Sequence, residues 1–269
     1  MKKAYLGAVT LIVVAMLAGS NASRALADGK YGKYAVDDRR SGYTYATKET
    51  QAIQDDDFKN PAMMYVDQGE GLWSQVDGKA GKSCASCHKD AANSMKGVAT
   101  LYPKYDKGLK KLKNIEQQIN TCRTERMQTK AWKYESNELL AMTIYVRNQS
   151  RGMPMNVSID DEAAPHFAKG KAMYYERNGQ FGMACKHCHE DNNGKRARAN
   201  LLSQGQINGF PTYRFKWQKA GSAHRRFRGC HSMVRATPYA YGSDEYNDLE
   251  LYIAWRGRGL PVETPAVRN

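Results

Sequence analysis

The chain has 269 residues, 25% of them charged, and a formal net charge of +14. A surface this basic suits an anionic partner, whether nucleic acid, an anionic membrane, an acidic protein or a small anion. Beyond the first residues no stretch supplies the ~20 consecutive apolar residues that cross a bilayer, which excludes a polytopic membrane protein.

The first residues read as an export leader. Met1-Lys2-Lys3 is a basic start, Ala4 to Gly19 is apolar apart from Thr10, and Ala25-Leu26-Ala27 is a small-x-small cleavage site. Residues 1–27 are therefore expected to be a signal peptide, and the mature chain to begin near Asp28 in the periplasm; cleavage is favoured over an uncleaved anchor. Lys2, Lys3 and Arg24 leave with the signal. The remaining chain suggests one or two domains at ~100 to 200 residues each.

Residues 28–64 form an N-terminal extension rich in Tyr, Lys and Asp with no clear period. A helix is predicted from about Thr47 to Phe58, broken at Asn60-Pro61. No chemistry is assigned to it.

From Gly69 onward the chain repeats itself. Gly69, Trp73, Gly78, Cys84, Cys87 and His88 are matched at a constant offset of 101 by Gly170, Tyr174, Gly179, Cys185, Cys188 and His189. Tyr145, Val146, Arg151, Gly152 and Pro154 are matched at an offset of 107 by Tyr252, Ile253, Arg258, Gly259 and Pro261. A period this long signals duplicated domains rather than a solenoid of ~20 to 50 residues per repeat.

Each copy carries C-x-x-C-H, as Cys84-Ala85-Ser86-Cys87-His88 and Cys185-Lys186-His187-Cys188-His189. In an exported chain this pattern reads as covalent attachment of haem c: two thiols one helical turn apart bond both vinyl groups, and the adjacent imidazole ligates the iron. Two motifs predict two haems. Export together with covalent haem argues against nucleic acid and leaves an acidic partner or a small anion.

Local patterns are helical. Leu109, Leu112, Ile115, Ile119 and Cys122 recur at three- and four-residue steps, predicting one helix face that covers a haem. Ser136 caps a predicted helix through Arg147, and Ser243, followed by Asp244 and Glu245, caps its counterpart through Trp255. The expected fold is all-α: tandem cytochrome c-like domains over 65–157 and 158–269, related by internal duplication and joined near Met155 to Glu162.

Four cysteines serve haem linkage, leaving Cys122 and Cys230. A mutual disulfide, two inert buried thiols, and one axial haem ligand per domain are the competing roles; export favours the first on general grounds. Equivalent positions favour the third, because Cys122 lies 32 residues before Pro154 and Cys230 lies 31 before Pro261. Met is the usual distal ligand, and Met95, Met127, Met153 and Met233 lie within the domains as alternatives, each more often core filler. An anionic thiolate would stabilise ferric iron and hold both potentials low.

The surroundings of the two cysteines differ. His224-Arg225-Arg226-Phe227-Arg228-Gly229-Cys230-His231, followed by Arg235, places cations near one thiol, whereas Cys122 has only Arg123 and Arg126. Cations favour thiolate over thiol and bind a sulfur oxyanion presented to it; a solvated basic loop beside a buried ligand is the plainer alternative. His224 or His231 could replace Cys230 at the iron. His187 is expected to be exposed, and His166 has no assigned role.

These residues together resemble the SoxA family, dihaem cytochrome subunits of the SoxAX complex of bacterial thiosulfate oxidation, with L-cysteine S-thiosulfotransferase activity. The resemblance is carried by Cys185-x-x-Cys188-His189, Arg226-x-x-x-Cys230, Arg235-Ala236-x-Pro238, and the run Ala240-Tyr241-Gly242-Ser243 through Leu249-Glu250-Leu251-Tyr252 to Arg258-Gly259-Leu260-Pro261. It is most specific from Cys185 to Arg268 and continues more weakly back to about Tyr65. Some relatives lack the first motif; here it is intact.

The resemblance implies axial ligands His88 and Cys122 for one haem and His189 and Cys230 for the other. It also implies a Cys230 persulfide as the active group and Arg226 as substrate-binding, with Arg228 or Arg235 assisting. The implied partners are a monohaem SoxX subunit forming a heterodimer, a SoxYZ carrier whose swinging-arm cysteine receives the sulfur group, and a soluble cytochrome c. The first haem is expected to be structural or auxiliary.

The main rival is a dihaem relay in which Cys230 is a plain ligand. A dihaem peroxidase needs an open distal site, which a cysteine candidate for each haem opposes.

Overall fold

The computed structural model describes residues 31–269; the predicted signal peptide lies outside them. The extension opens with a two-strand ladder, β1 (Ala35–Val36) and β2 (Arg39–Arg40), followed by a 3-10 turn and α1 (Lys48–Asp55). Thr47 caps α1 as its hydroxyl accepts from Thr50 N. The extension clamps the far end of the chain: Gln54 is fully buried and its Oε1 accepts from Val267 N at 2.9 Å, while Asn60 Nδ2 donates to Pro265 O at 3.0 Å.

The first unit follows as α2 (Met63–Ser74), α3 (Cys84–His88), α4 (Ala91–Ser94), hairpin β3 (Lys104–Asp106) and β4 (Lys111–Lys113), α5 (Ile115–Thr121) and α6 (Asn137–Asn148). The second unit runs as α7 (Ala164–Tyr175), α8 (Cys185–His189), hairpins β5 (Arg196–Ala197) with β6 (Asn200–Leu201) and β7 (Thr212–Arg214) with β8 (Lys219–Gly221), α9 (Ala223–Met233), α10 (Asp244–Arg256) and β9 (Ala266–Arg268). Among the described residues no helix is long and apolar enough to cross a membrane.

Helix boundaries follow their caps. Ser136 and Ser243 each accept a backbone N–H three residues on, starting α6 and α10 where expected. In each unit the first and last long helices cross closely. At Gly170 on α7 an added Cβ would stand 1.9 Å from the Asp248 carbonyl oxygen on α10, so only glycine permits the approach; Gly69 plays the same part between α2 and α6.

The fold is helix-rich but not all-α. Nine short strands are present among the described residues, including a three-stranded sheet of order β8-β7-β9 in which β7 and β9 run parallel. The helix expected to begin near Leu109 begins at Ile115 instead. Asn114 accepts from Gln117 N while Gln117 Oε1 accepts from Asn114 N, a capping box that stops the helix from extending backward. Leu109 is therefore an exposed turn residue and Leu112 a strand residue.

Leu112 shows why the strand exists. With Tyr105 it packs into the core around α7 and α10, whereas Ala220 and Tyr213 from the β7–β8 hairpin pack into the core around α2 and α6. Each unit thus lends a hairpin to the other's core. A buried polar seam joins them: Asn114 Nδ2 donates to Glu250 Oε2 at 3.2 Å, and Gln117 Nε2 donates to Gly242 O at 2.9 Å.

Candidate haem and thiol site

The second C-x-x-C-H forms α8, so helical pitch sets Cys185 and Cys188 one turn apart with His189 closing the helix. His189 Nδ1 lies 2.8 Å from Ser203 O. That bond fixes the donating tautomer at Nδ1 and leaves Nε2 as the ligating nitrogen. At Gly205, with φ +76°, an added Cβ would stand 2.8 Å from His189 Cγ, so the loop closes against the ring where only hydrogen fits.

Cys230 arrives from α9, capped by Ser222 through Arg225 N at 3.1 Å. Spacing i, i+4 sets Arg226 and Cys230 on one helix face. Burial pushes the Cys230 thiol up, but Arg226, a hydrogen bond and charge from His189, and Arg214 reverse this and hold it near about 7. As free thiols, Cys185 is pushed up to about 12 and Cys188 is also raised, both by burial and then by the charge of Cys230. Three thiols, one imidazole and two guanidinium groups therefore converge. The donor set fits haem c: two attachment thiols, an imidazole oriented by a carbonyl, and a thiolate facing that imidazole.

The first site is built alike but charged differently. Ser83 and Ser86 form a reciprocal cap on α3, and His88 stacks obliquely 5.8 Å from the Trp73 ring. Burial and neighbouring Cys122 push the Cys84 thiol up to about 11. Gln118 Nε2 lies 3.5 Å from Cys122 Sγ. Arg123, one of the two cations near Cys122 in sequence, is occupied by Asp77 at 2.8 Å, Lys130 O at 3.1 Å and the face of Trp132. No disulfide joins Cys122 to Cys230.

Equivalent positions make the contrast explicit. Where α9 carries Arg226 four residues before its cysteine, α5 carries Gln118; where β7 carries Arg214, β3 carries Asp106. Asp106 pairs with Lys113 at 2.5 Å. One thiol thus sees two guanidinium groups and the other an amide.

The remaining candidates lie elsewhere. Arg228 donates to the Tyr239 carbonyl and lies over Tyr241, and Arg235 donates to Gln180 Oε1 at 3.2 Å and lies over Phe181. Among the arginines of the predicted basic cluster, Arg226 is the one whose charge acts on Cys230. His224 is buried in the seam, where Nδ1 accepts from Gly242 N at 3.0 Å and Nε2 lies 3.0 Å from Glu250 Oε2, off the line of a hydrogen bond. His231 contacts Phe227 O and Tyr246 OH, both at 3.1 Å. Neither histidine replaces Cys230 beside His189. Met95 and Met127 are core residues and Met233 is exposed. His187 is half-buried, with Nδ1 accepting from Ala184 N at 2.8 Å, and His166 pairs with Asp248.

Arg214 is the residue that motif reading missed. It lies far from any motif and reaches the thiol only through the strand order β8-β7-β9, with its Nε donating to Asn269 O at 2.8 Å and its guanidinium 4.9 Å from the Trp217 ring. Burial and then the charge of Arg226 lower its pKa to about 10.

A SoxA/TsdA cytochrome c domain model matches residues 68–155. The SoxA subunit of the L-cysteine S-thiosulfotransferase of Pseudaminobacter salicylatoxidans is 48% identical over 234 residues, covering 87% of this chain and 82% of the relative. The chain belongs to the SoxA family. The SoxA subunit of Paracoccus pantotrophus is 46% identical over 229 residues, covering 85% of this chain and 79% of the relative. A crystal structure of SoxXA from the same organism superposes with a TM-score of 0.83 over 86% of this chain and 87% of that one. As a SoxA family member the chain is a cytochrome c protein with haem c as its cofactor.

Proposed function

We propose that this chain is the catalytic subunit that oxidatively conjugates thiosulfate to a cysteine of a SoxYZ-like carrier, through a Cys230-derived sulfur. The observation that carries this reading is the convergence of Arg226 and Arg214 on the Cys230 thiol beside His189. The names of its relatives support the activity.

Thiosulfate is a dianion. Arg226 and Arg214 would hold its sulfonate oxygens in charge-assisted hydrogen bonds, presenting the sulfane sulfur to the thiolate. An S–S bond then forms between the sulfane sulfur and the Cys230-derived sulfur, releasing two electrons. The carrier thiolate attacks the sulfane sulfur, breaking that bond and leaving with the thiosulfonate, while the Cys230-derived sulfur returns as an anion. Haem c supplies an electron acceptor beside this thiol. The persulfide on Cys230, with one sulfur extending the side chain, belongs to the same reading.

The same reading assigns two haems c: Cys84, Cys87, His88 and Cys122 would hold one, and Cys185, Cys188, His189 and Cys230 would hold the other. The domains are the extension, residues 65–157 and the catalytic residues 158–269, related by duplication. Electrons leave to a SoxX-like monohaem partner and a soluble cytochrome c in the periplasm. Cys122, with an amide where Cys230 has arginines, serves a structural or auxiliary haem.

Peptide mass spectrometry of protein matured in a host that attaches haem c tests this. Two haem-bearing peptides are expected, and ~32 Da on the Cys230 peptide, one sulfur, rising on thiosulfate treatment. An unmodified Cys230 under thiosulfate, oxidised acceptor and partner subunit would reduce the chain to an electron relay.

A further inference from the structure

The two C-x-x-C-H motifs are presented to solvent by the same loops. In each unit the loop before the motif closes on itself, Asp77 bridging Lys82 and Asn178 bridging Met183. It then bonds to the segment after the distal cysteine helix: Ala80 N to Met127 O at 3.2 Å, and Phe181 N to Val234 O at 3.4 Å. Residues can therefore be paired across the copies. The offset passes from 108 at the distal cysteines to 107 beyond them because Cys122–Arg126 forms a π turn, where Met127 N reaches back five residues to Cys122 O and Val234 N reaches back four to Cys230 O.

Paired in this way, the rims have opposite characters. The first carries Lys79, Lys82, Lys89, Arg126 and Lys130, all exposed, around the exposed Cys87 and His88. The second has Gln180, Met183, Glu190, Met233 and Thr237 at those positions, and exposes Phe181 and Met233 at 55% and 61%. Three cations beside the second motif are tied down: Arg177 to Gly182 O, Lys186 to Asp191, and Arg235 to Gln180. On the first rim, among the described residues, the side chains of Lys79, Lys82, Arg126 and Lys130 have no partner, and Lys89 Nζ makes only a 3.4 Å bond to Ser86 O. The nearby Asp77 is taken by Arg123, leaving Asp90 and Glu125 as the local carboxylates.

Free cations ringing a haem-bearing edge cost self-repulsion unless a partner uses them. We infer that the first rim is a docking surface for an acidic redox protein. The interspersed Asp90 and Glu125 suit reciprocal ion pairing with a protein face, and the rim offers one exposed apolar side chain, Val76, too little to insert into a bilayer. This site lies on the first unit and is independent of the chemistry at Cys230.

Matured protein, with its monohaem partner bound, is titrated with a plant-type ferredoxin as an acidic one-electron probe, at ~20 and ~200 mM salt. The triple variant Lys79→Glu, Lys82→Glu and Arg126→Glu is compared with a control of equal charge change, Lys48→Glu, Lys171→Glu and Lys195→Glu. The rim triple is expected to weaken binding at low salt about tenfold or more and to flatten its salt dependence, with the control changing it less than about threefold. Equal effects of the two triples, or no effect of the rim triple, overturn the proposal. So does rim-dependent binding to phosphatidylserine vesicles that exceeds binding to the ferredoxin. Intact thiosulfate conjugation in the rim triple separates failure here from failure of the transferase reading.

Discussion

In the proposed reaction Arg226 and Arg214 divide one task, holding a dianion against the Cys230 sulfur. Replacing either by glutamine keeps a donor but removes the charge, and a hydrogen bond to a charged group is worth about 1.5–3 kcal/mol, or ~10- to 100-fold. Arg226→Gln and Arg214→Gln are each expected to raise KM for thiosulfate by about that factor, while the visible haem spectrum stays native. The reciprocal change, Gln118→Arg, is expected to confer no turnover at Cys122 when Cys230 is replaced by alanine, because β3 still presents Asp106 where β7 presents Arg214. Steady-state kinetics on the three variants check these outcomes. Arg226 was legible in the sequence because helical spacing ties it to Cys230. Arg214 was not, because the strand that delivers it has three residues and no alternating pattern.

At the scale of elements, Gly170 decides how closely α7 can cross α10. A methyl group at 1.9 Å from a backbone carbonyl cannot be absorbed by a rotamer change, so one helix must move. Gly170→Ala is expected to cost about 1–3 kcal/mol or more, lowering Tm in thermal unfolding, whereas Gly229→Ala, inside α9 with open space around its Cβ, is expected to gain up to about 1 kcal/mol. The repeat of Gly69 and Gly170 and the Ser136 and Ser243 caps were readable because both are local. The β3–β4 hairpin was not: Leu112 fits a helical period with Ile115 equally well, and its strand is selected by a core belonging to the other half of the chain. The extension, silent in sequence, is explained by the same kind of distant contact through Gln54 and Asn60.

Across the whole molecule the buried seam stores an acid. Glu116 is 6% exposed and its carboxyl is pushed up to about 7, first by burial and then by Glu250, with His224 and Arg147 acting the other way. Between about pH 4.5 and 7 the folded state binds a proton that the unfolded state has released, so the contribution of Glu116 to stability is full below about pH 4.5 and declines as pH rises to about 7. Glu116→Gln is expected to flatten that decline and to gain about 1–3 kcal/mol at pH 8, read from denaturant midpoints across pH. A variant no more stable than the parent at pH 8 would show that the Arg147 guanidinium already neutralises the carboxylate.

The traded hairpins have a consequence for how such a protein can change over time. A strand lodged in its neighbour's interior makes each half a component of the other's fold, so the halves should melt in one calorimetric transition. Loss of Cys84 and Cys87 would remove a cofactor while leaving Leu112 and Tyr105 in place beneath α7 and α10. The first half is thus free to lose its chemistry but bound to persist as polypeptide, a scaffold inherited with the active half it completes.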